Sequence, residues 1–297
     1  MVLKKYCTNA NLFDSENLSN EAYSKFIMAM LLCHSVEVTD EGKFVASSPE
    51  EKTTLEILND AGYEFLGAEI NGNIKTCIKG KKITYKRLAE LPFDSFRKCM
   101  TVVIKETVEE CLKDQKEGTK DSSRVPTETI HMLIKGADGV ILPACLTNTS
   151  ERKEIIQQTK SIVNKYASSG FRTLVYGYKQ LERDEFDTFT NKLEEAKQSM
   201  VNRVKFVREA YRDLEAGGLH LLGATAIEDK LQEDVAETIL KLGKAGITTW
   251  MVTGDKKETA VNLGYAAGKG FQFYHGGGLA KNQAFGKLNI FAYLPYL

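Results

Sequence analysis

The stretch KKITYKRLAELPFDSFRKCMTVVIK, Lys81–Lys105, contains two segments rich in β-branched and aromatic residues on either side of a short polar interruption. Residues of these types favour strands, and strands that follow one another at short spacing pair antiparallel. Similar segments lie at residues 64–70, 74–80 and 129–136, separated by Gly, Asn or charged turns. The pattern predicts an antiparallel sheet in this part of the chain.

Helical patterns flank the predicted strands. Apolar residues recur at helical spacing over Asn20–Val38, and Ser48 followed by Pro49 and two glutamates has the composition of a helix N-terminus. Residues 150–169 and 184–214 predict further amphipathic helices. A sheet of this kind with helices around it indicates an α+β domain.

The pattern changes near Gly217-Gly218. Four segments follow in the order strand, helix, strand, helix: residues 219–229, 230–246, 247–255 and 256–268. That order predicts a parallel α/β unit. The predicted organisation is therefore one domain over 1–216, a second over 217–268, and a Gly-rich, aromatic tail over 269–297 that continues neither pattern.

Composition limits the partners. The 297-residue chain has 40 basic and 40 acidic side chains, so it lacks the basic field that draws proteins to nucleic acid. Its six cysteines contain no C-x-x-C pair, which is typical of reduced thiols in the cytosol. No apolar run approaches the roughly 20 residues that cross a bilayer. We expect a water-exposed segment that does not bind nucleic acid.

Thr253-Gly254-Asp255 ends a predicted buried strand where the chain enters a helix. Unpaired N–H groups and the positive end of the helix dipole favour an anion beside the Thr253 hydroxyl. Asp255 and Glu258 also have capping-box spacing, so a structural role for the aspartate stays open. A second acidic residue, Asp229, follows the other strand at the edge where parallel sheets bind ligands. Together these positions predict a phosphate crevice.

Several motifs along the chain carry a resemblance to a known family. LLGATAIEDKLQEDV and MVTGDKKETAVNLGYAAG resemble the phosphorylation domain of the P4 branch of P-type ATPases, the phospholipid flippases. LLCHSV, ASSPEE, FDSFRKCMTVVI, HMLIKGADGVI and SGFRTLVYGYK are similar to the nucleotide-binding domain of that family. The resemblance spans about Phe26 to Gly268. It implies a nucleotide-binding domain and a partial HAD-like, Rossmann-type phosphorylation domain, an α/β fold overall.

The resemblance also implies roles in ATP binding. Phe93 matches the ring on which adenine stacks, although such a ring can equally be a core residue. Glu51 matches an acidic residue near the adenine edge, with helix capping as the alternative. Lys98 and Lys135 match lysines that contact the nucleotide, and Arg172 matches an arginine at its phosphates.

One of these assignments has a geometric consequence. Phe93 and Lys98 are an odd number of residues apart, so an unbroken strand would place them on opposite faces of the sheet. If both contact one nucleotide, the backbone between Asp94 and Arg97 has to bulge or turn. We therefore expect an irregularity in this segment.

The second domain is implied to meet the far end of the nucleotide. Thr253, Gly254 and Asp255 match positions at the terminal phosphate, and Asp229 matches a position at the sugar or the interdomain hinge. The family transfers phosphate to an aspartate in D-K-T-G-T and holds Mg²⁺ with one in G-D-G, and neither string occurs here. The chain alone is therefore expected to bind ATP without phosphoryl transfer, and without a catalytic or metal residue of its own.

The implied parent is a multi-pass membrane ATPase that uses ATP and Mg²⁺ to move phospholipid, with this segment on the cytosolic side. Phospholipid and any accessory subunit would bind only through the membrane part. A truncated regulatory module that binds nucleotide or a partner without transport stays open as an alternative. A phosphatase of the same superfamily is not expected, because the aspartate nucleophile is missing. The tail is expected to be an artefact of gene prediction or cloning.

Overall fold

The structure is a computed structural model that describes residues 21–46, 48–107, 129–169, 171–228 and 233–253, together with 264, 267, 271–275, 278–280 and 288–292. Its main feature is a sheet of seven strands in chain order, β3 to β9: Tyr63–Ala68, Asn73–Ile78, Lys81–Asp94, Cys99–Thr107, Ile130–Gly136, Phe171–Leu181 and His220–Glu228. Neighbouring strands from β3 to β8 are antiparallel. The predicted antiparallel sheet is confirmed, as is the α/β class. Two short strands, β1 (Glu37–Val38) and β2 (Phe44–Val45), form a separate antiparallel pair.

The helices agree with the predicted segments, with three differences. They are α1 to α7: Glu21–Leu32, Pro49–Asp60, Asp138–Ala144, Ser150–Ser168, Arg183–Gln198, Arg203–Glu215 and Val235–Lys244. Helix α3 was not predicted. The predicted first helix ends early, at Leu32. The predicted helix over 184–214 is divided into α5 and α6, because Asn202 between them has a φ of 59°. Asparagine tolerates this left-handed conformation, which an α-helix cannot continue through.

One face of the sheet packs against α1 and α2. Met100, Val102 and Ile104 alternate along β6 and point to this face, where all three are buried. Leu31 of α1 and Leu55 of α2 complete the same core at 0% and 1% exposure. Complete burial of a side chain of this size contributes about 1.5–3 kcal/mol, so this layer anchors both helices.

The opposite face packs against α3 and α6. Ile134 of β7 and Ile141 of α3 are completely buried beside Gly177 of β8, where a Cβ would lie 3.1 Å from Ile134 and 3.5 Å from Ile141. The absence of a side chain at Gly177 therefore allows the helix to approach the strand. From α6, Glu215 reaches Thr101 of β6 with an Oγ1 to Oε1 distance of 2.6 Å.

The chain divides into two compact units, Leu3–Ile156 with Leu174–Ala224, and Gln157–Thr173 with Thr225–Leu297. The second contains a four-stranded sheet of β10 (Thr249–Thr253), β13 (Leu288–Ala292), β11 (Phe271–His275) and β12 (Gly278–Ala280), in that order. Strand β13 is parallel to both β10 and β11. Residues of the tail therefore extend a sheet. The domain boundary proposed at residue 217 stays a prediction.

Strand β9 differs from the sequence-based expectation. The prediction that residues 219–229 and 247–255 form one parallel unit is wrong for the described residues, because β9 joins the seven-stranded sheet whereas β10 belongs to the other sheet. The Leu219 carbonyl accepts from the Leu146 N–H at 2.8 Å, and the Leu219 N–H donates to the Ala144 carbonyl. These bonds attach the residue before β9 to the segment at the end of α3, and β9 is the neighbour of β8 in the sheet.

Candidate functional site

The connection between β5 and β6 is a tight turn. Strand β5 ends at Asp94, residues 95–98 turn, and β6 begins at Cys99. Lys98 closes the turn with a φ of 57°, and its N–H donates to the Asp94 carbonyl at 2.6 Å. The irregularity expected between Asp94 and Arg97 is confirmed.

A bulge directly precedes this turn. Leu91 pairs with Thr101 and Asp94 pairs with Cys99, so two residues of β5, Pro92 and Phe93, lie opposite the single residue Met100. An extra residue of this kind changes which face the following side chains occupy. Strict two-residue alternation along β5 would have placed the side chains that follow the bulge on the wrong face of the sheet.

The strand register shows which residues share a face. Directly paired residues point to the same side, so Asp94, Cys99 and Gly136 share one face, while Met100 and Lys135 share the other. Phe93 adjoins Asp94 and therefore points to the face of Lys135. Because strands lie about 4.8 Å apart, Phe93 and Lys135 flank Met100 with their strands roughly 10 Å apart.

Lys135 forms a buried ion pair across this face. Its Nζ lies 2.5 Å from Oε1 of Glu51, which is on the first turn of α2, and both side chains are 8% exposed. Leu174, Tyr176 and Met30 line the space around the pair, which does not admit a water molecule. An ion pair removed from water in this way is attracted more strongly than one at the surface.

Ser35 fixes the other oxygen of the Glu51 carboxylate. The Ser35 N–H donates to Oε2 at 3.0 Å and its hydroxyl donates at 2.8 Å. Glu51 thus binds Ser35 and Lys135, and it also lies in the first turn of α2, where a negative charge suits the helix N-terminus. The Ser48 hydroxyl, at the helix N-terminus, binds Glu50.

Electrostatics keep both members of the pair charged. Burial opposes ionisation of Glu51, but the Lys135 ammonium and the bonds from Ser35 lower the pKa of this carboxyl below its ordinary value. Burial likewise opposes the charge of Lys135, and the negative charge and hydrogen bond of Glu51 are among the interactions that raise its pKa. The pair therefore places a cationic donor and an anionic acceptor side by side.

His34 is held neutral beside the pair. Its Nε2 lies 2.8 Å from the Leu31 carbonyl, and its Nδ1 accepts from the Val36 N–H at 3.1 Å. Both contacts are satisfied when the proton is on Nε2. Burial, followed by the charge of Lys135, lowers the pKa of His34 to about 4.

An open cleft of about 730 Å³ adjoins this group. It is lined by His34 and Ser35, which lie next to the pair, and extends along Phe65, Arg87 and Glu90. Its volume is within the range of small-molecule sites. The ion pair therefore lies near an open space, although its own surroundings are closed.

The other predicted residues have different positions. Phe93 is 64% exposed, so it is not a core ring, and Lys98 is exposed in the turn. Arg172 is partly buried on β8 and Thr253 ends β10, both in the second unit. Asp229, Gly254 and Asp255 are outside the described residues, as is most of the predicted helix over 256–268. The structure thus groups Glu51, Phe93, Lys98 and Lys135 in the first unit.

Sequence reasoning missed Ser35 and Met100. Ser35 is within the motif LLCHSV and Met100 within FDSFRKCMTVVI, so both stretches were recognised without a role for these residues. Their importance depends on what lies beside them after folding. No signal in the local sequence states that Ser35 binds a residue 16 positions away.

Neither a metal-binding cluster nor a membrane-spanning helix is found in the described part. Among its residues, no group of three or more His, Cys, Asp or Glu side chains is arranged to bind a metal ion. The same part has no helix that combines the length and apolar character needed to cross a bilayer.

Comparison with known proteins identifies relatives. A family model of the P-type ATPase cytoplasmic domain N matches residues 22–234. The chain is 35% identical over 260 residues to a phospholipid-transporting ATPase of Schizosaccharomyces pombe, covering 86% of this chain and 17% of that protein. It is 36% identical to phospholipid-transporting ATPase IC of Mus musculus over 82% of the chain and 18% of the relative. It is 33% identical to phospholipid-transporting ATPase ID of Homo sapiens over 86% of the chain and 20% of the relative. The chain thus spans about a fifth of these relatives.

Proposed function

The chain belongs to the P-type ATPase family, in the region of its cytoplasmic domain N, and from this premise we propose that it binds ATP for a phospholipid-transporting member. The observation that carries the proposal is the group on one face of the sheet. There, Phe93 and Lys135 flank Met100, and Glu51 pairs with Lys135.

The base of ATP has a suitable surface in this group. The exposed ring of Phe93 offers a flat apolar face for stacking, which contributes about 0.5–1.5 kcal/mol beyond burial. The edge of the base would meet the Glu51–Lys135 pair. Adenine presents an amino donor beside a ring-nitrogen acceptor, whereas guanine presents two acceptors at the same edge. An acceptor from Glu51 beside a donor from Lys135 complements adenine.

The phosphates would extend away from this pair. Lys98 in the turn has an exposed ammonium, and Arg172 adds a guanidinium suited to phosphate oxygens. Thr253, Gly254, Asp255 and Asp229 are proposed to meet the terminal phosphate and the sugar or hinge, as the family resemblance implies.

The proposed parent couples ATP hydrolysis, through an aspartyl phosphate, to phospholipid movement across a membrane, with this region on the cytosolic side. Mg²⁺ accompanies ATP in that proposal. Without D-K-T-G-T and G-D-G strings, the chain alone is proposed to bind ATP and not to hydrolyse it. Phospholipid and any accessory subunit would be recognised by other parts of the parent.

Titration of a fluorescent ATP analogue into the full chain tests the proposal. Phe93→Ala is expected to weaken binding about 2- to 12-fold, the equivalent of the stacking free energy. Phe96→Ala is a matched control, because Phe96 is also 64% exposed but lies against Arg208 and Arg212 of α6. Binding by the unaltered chain with a selective effect at Phe93 supports the proposal, and absence of saturable binding overturns it.

A further inference from the structure

Arg97 is buried on the face of the sheet opposite the candidate site. It lies in the turn between Phe93 and Lys98, yet it is only 7% exposed. Its Nη2 donates to the Pro92 carbonyl at 2.6 Å, its Nη1 pairs with Glu215, and its guanidinium lies 4.8 Å from the ring centre of Tyr211. Arginine suits this position because its planar fork can donate in two directions at once.

Glu215, near the end of α6, connects Arg97 to the sheet. Besides Arg97, its Oε1 accepts from Thr101 Oγ1 at 2.6 Å, and Cys99 Sγ lies 3.6 Å from Oε2. The side chains of Arg97 and Glu215 are 4% and 10% exposed. One carboxylate therefore joins the helix, the turn and the first residues of β6.

A second ion pair joins α6 to the same turn. Arg208 Nε donates to Asp94 Oδ2 at 2.8 Å, while Asp94 Oδ1 accepts from the Phe96 N–H at 2.8 Å. Helix α6 thus contacts Asp94, the last residue before the turn, and the turn itself through Arg97. Neither contact lies on the face of Lys135.

Arg97 anchors backbone atoms that determine the position of Phe93. Pro92 and Phe93 are the two bulge residues opposite Met100, so a bond to the Pro92 carbonyl fixes the backbone next to the Phe93 ring. The other end of the turn is tightly packed, because a Cβ at Gly136 would lie 2.5 Å from the Lys98 carbonyl oxygen. Arg97 thus holds the bulge, and β7 holds Lys98.

We propose that Arg97, together with Glu215, is a positioning residue for nucleotide binding, which orients Phe93 and Lys98 from the reverse side of the sheet. This inference rests on the proposed function, since it concerns the same site. Stability alone gives no reason for charges here, because apolar residues of similar volume often replace a buried ion pair without loss. An apolar pair, however, cannot donate to the Pro92 carbonyl.

The test separates positioning from folding. The full chain with Arg97→Met and Glu215→Leu together is compared with Lys192→Met and Asp213→Leu together, an exposed pair between α5 and α6. We expect both double variants to unfold cooperatively, and only the first to bind the ATP analogue about 10-fold more weakly. Addition of Phe93→Ala to the first should cost less than 2-fold further, because a misplaced ring contributes little. Independent sites would instead give multiplied effects.

Arg97→Lys provides a second, milder variant. Lysine keeps a charge for Glu215 but cannot donate in two directions with the same geometry. We expect a folded chain with weakened nucleotide binding. If the variant with the apolar pair does not fold, nucleotide binding by Arg97→Lys tests the inference instead. Binding equal to that of the unaltered chain in the variants, or a full effect of Phe93→Ala in the apolar-pair background, would overturn the inference. Failure of the unaltered chain to bind would overturn the proposed function as well.

Discussion

The two faces of the sheet near the β5–β6 turn each have a buried ion pair between a strand or turn and a helix, but their hydrogen bonding differs. Arg97 binds Glu215 and Pro92 and stacks on Tyr211, so among the described residues only its Nε lacks a partner. Lys135 instead donates to Glu51, whose other oxygen accepts from Ser35. The Arg97 pair thus holds the backbone of the bulge through the Pro92 carbonyl, whereas the Lys135 pair joins β7 to α2 and to the segment after α1.

The largest expected effect tests whether both pairs are equally buried. Lys135→Met leaves the Glu51 carboxylate without its cation, and Arg97→Met does the same to Glu215. We expect each change to lower the free energy of unfolding by about 3–5 kcal/mol, measured by urea denaturation. Lys192→Met, in an exposed pair with Asp213, should change the free energy of unfolding much less than either of these substitutions. Equal, small effects at all three positions would contradict the burial of the pairs.

The next prediction concerns the dependence of the unfolding free energy on pH. It involves only the face of the sheet that carries Lys135. His34 has its pKa lowered from 6.5 to about 4, first by burial and then by Lys135, with Arg87 adding to the shift while Glu51 and the Leu31 carbonyl oppose it. As the pH falls from 6.5 towards 4, the unfolded chain binds a proton before the folded chain does, so stability decreases in that window. Protonation would also place an Nδ1–H against the Val36 N–H.

The loss assigned to His34 is about 3 kcal/mol between these pH values. His34→Gln should reduce the loss of unfolding free energy over this window by about that amount, as judged from urea curves at successive pH values. The slope with pH is the measurement, because the substitution also changes stability at neutral pH. An unchanged slope would show that His34 is not held neutral.

The smallest effect distinguishes the carboxylates of Glu51 and Glu215 by whether each is expected to contact the base of the nucleotide. A complementary donor–acceptor pair discriminates between bases by about 1–3 kcal/mol, so we expect ATP to bind more tightly than GTP by about 5- to 150-fold. Glu51→Gln should reduce this ratio, since an amide can also donate. Glu215→Gln should leave the ratio unchanged even if it weakens the binding of both nucleotides. Competition titrations measure the ratio, and equal changes in the two variants would remove the distinction between the faces.

The sequence predicted the sheet and the candidate residues better than their arrangement. Strand propensity located β3 to β7, and a parity argument correctly required an irregularity near Asp94. It did not predict that a bulge at Pro92 and a turn at residues 95–98 would both be present. Nor did it predict that β9 would join β8, because strand propensity does not specify a partner.

By itself, the sequence determined most of the strands and helices, the family and the residues expected to meet ATP, because these depend on short windows and recognisable motifs. The tertiary structure alone decided that Lys135 pairs with Glu51, 84 positions away, and Arg97 with Glu215, 118 positions away. It also decided which face of the sheet each pair occupies. These outcomes depend on burial and strand register, which arise only when distant segments compete for the same partners.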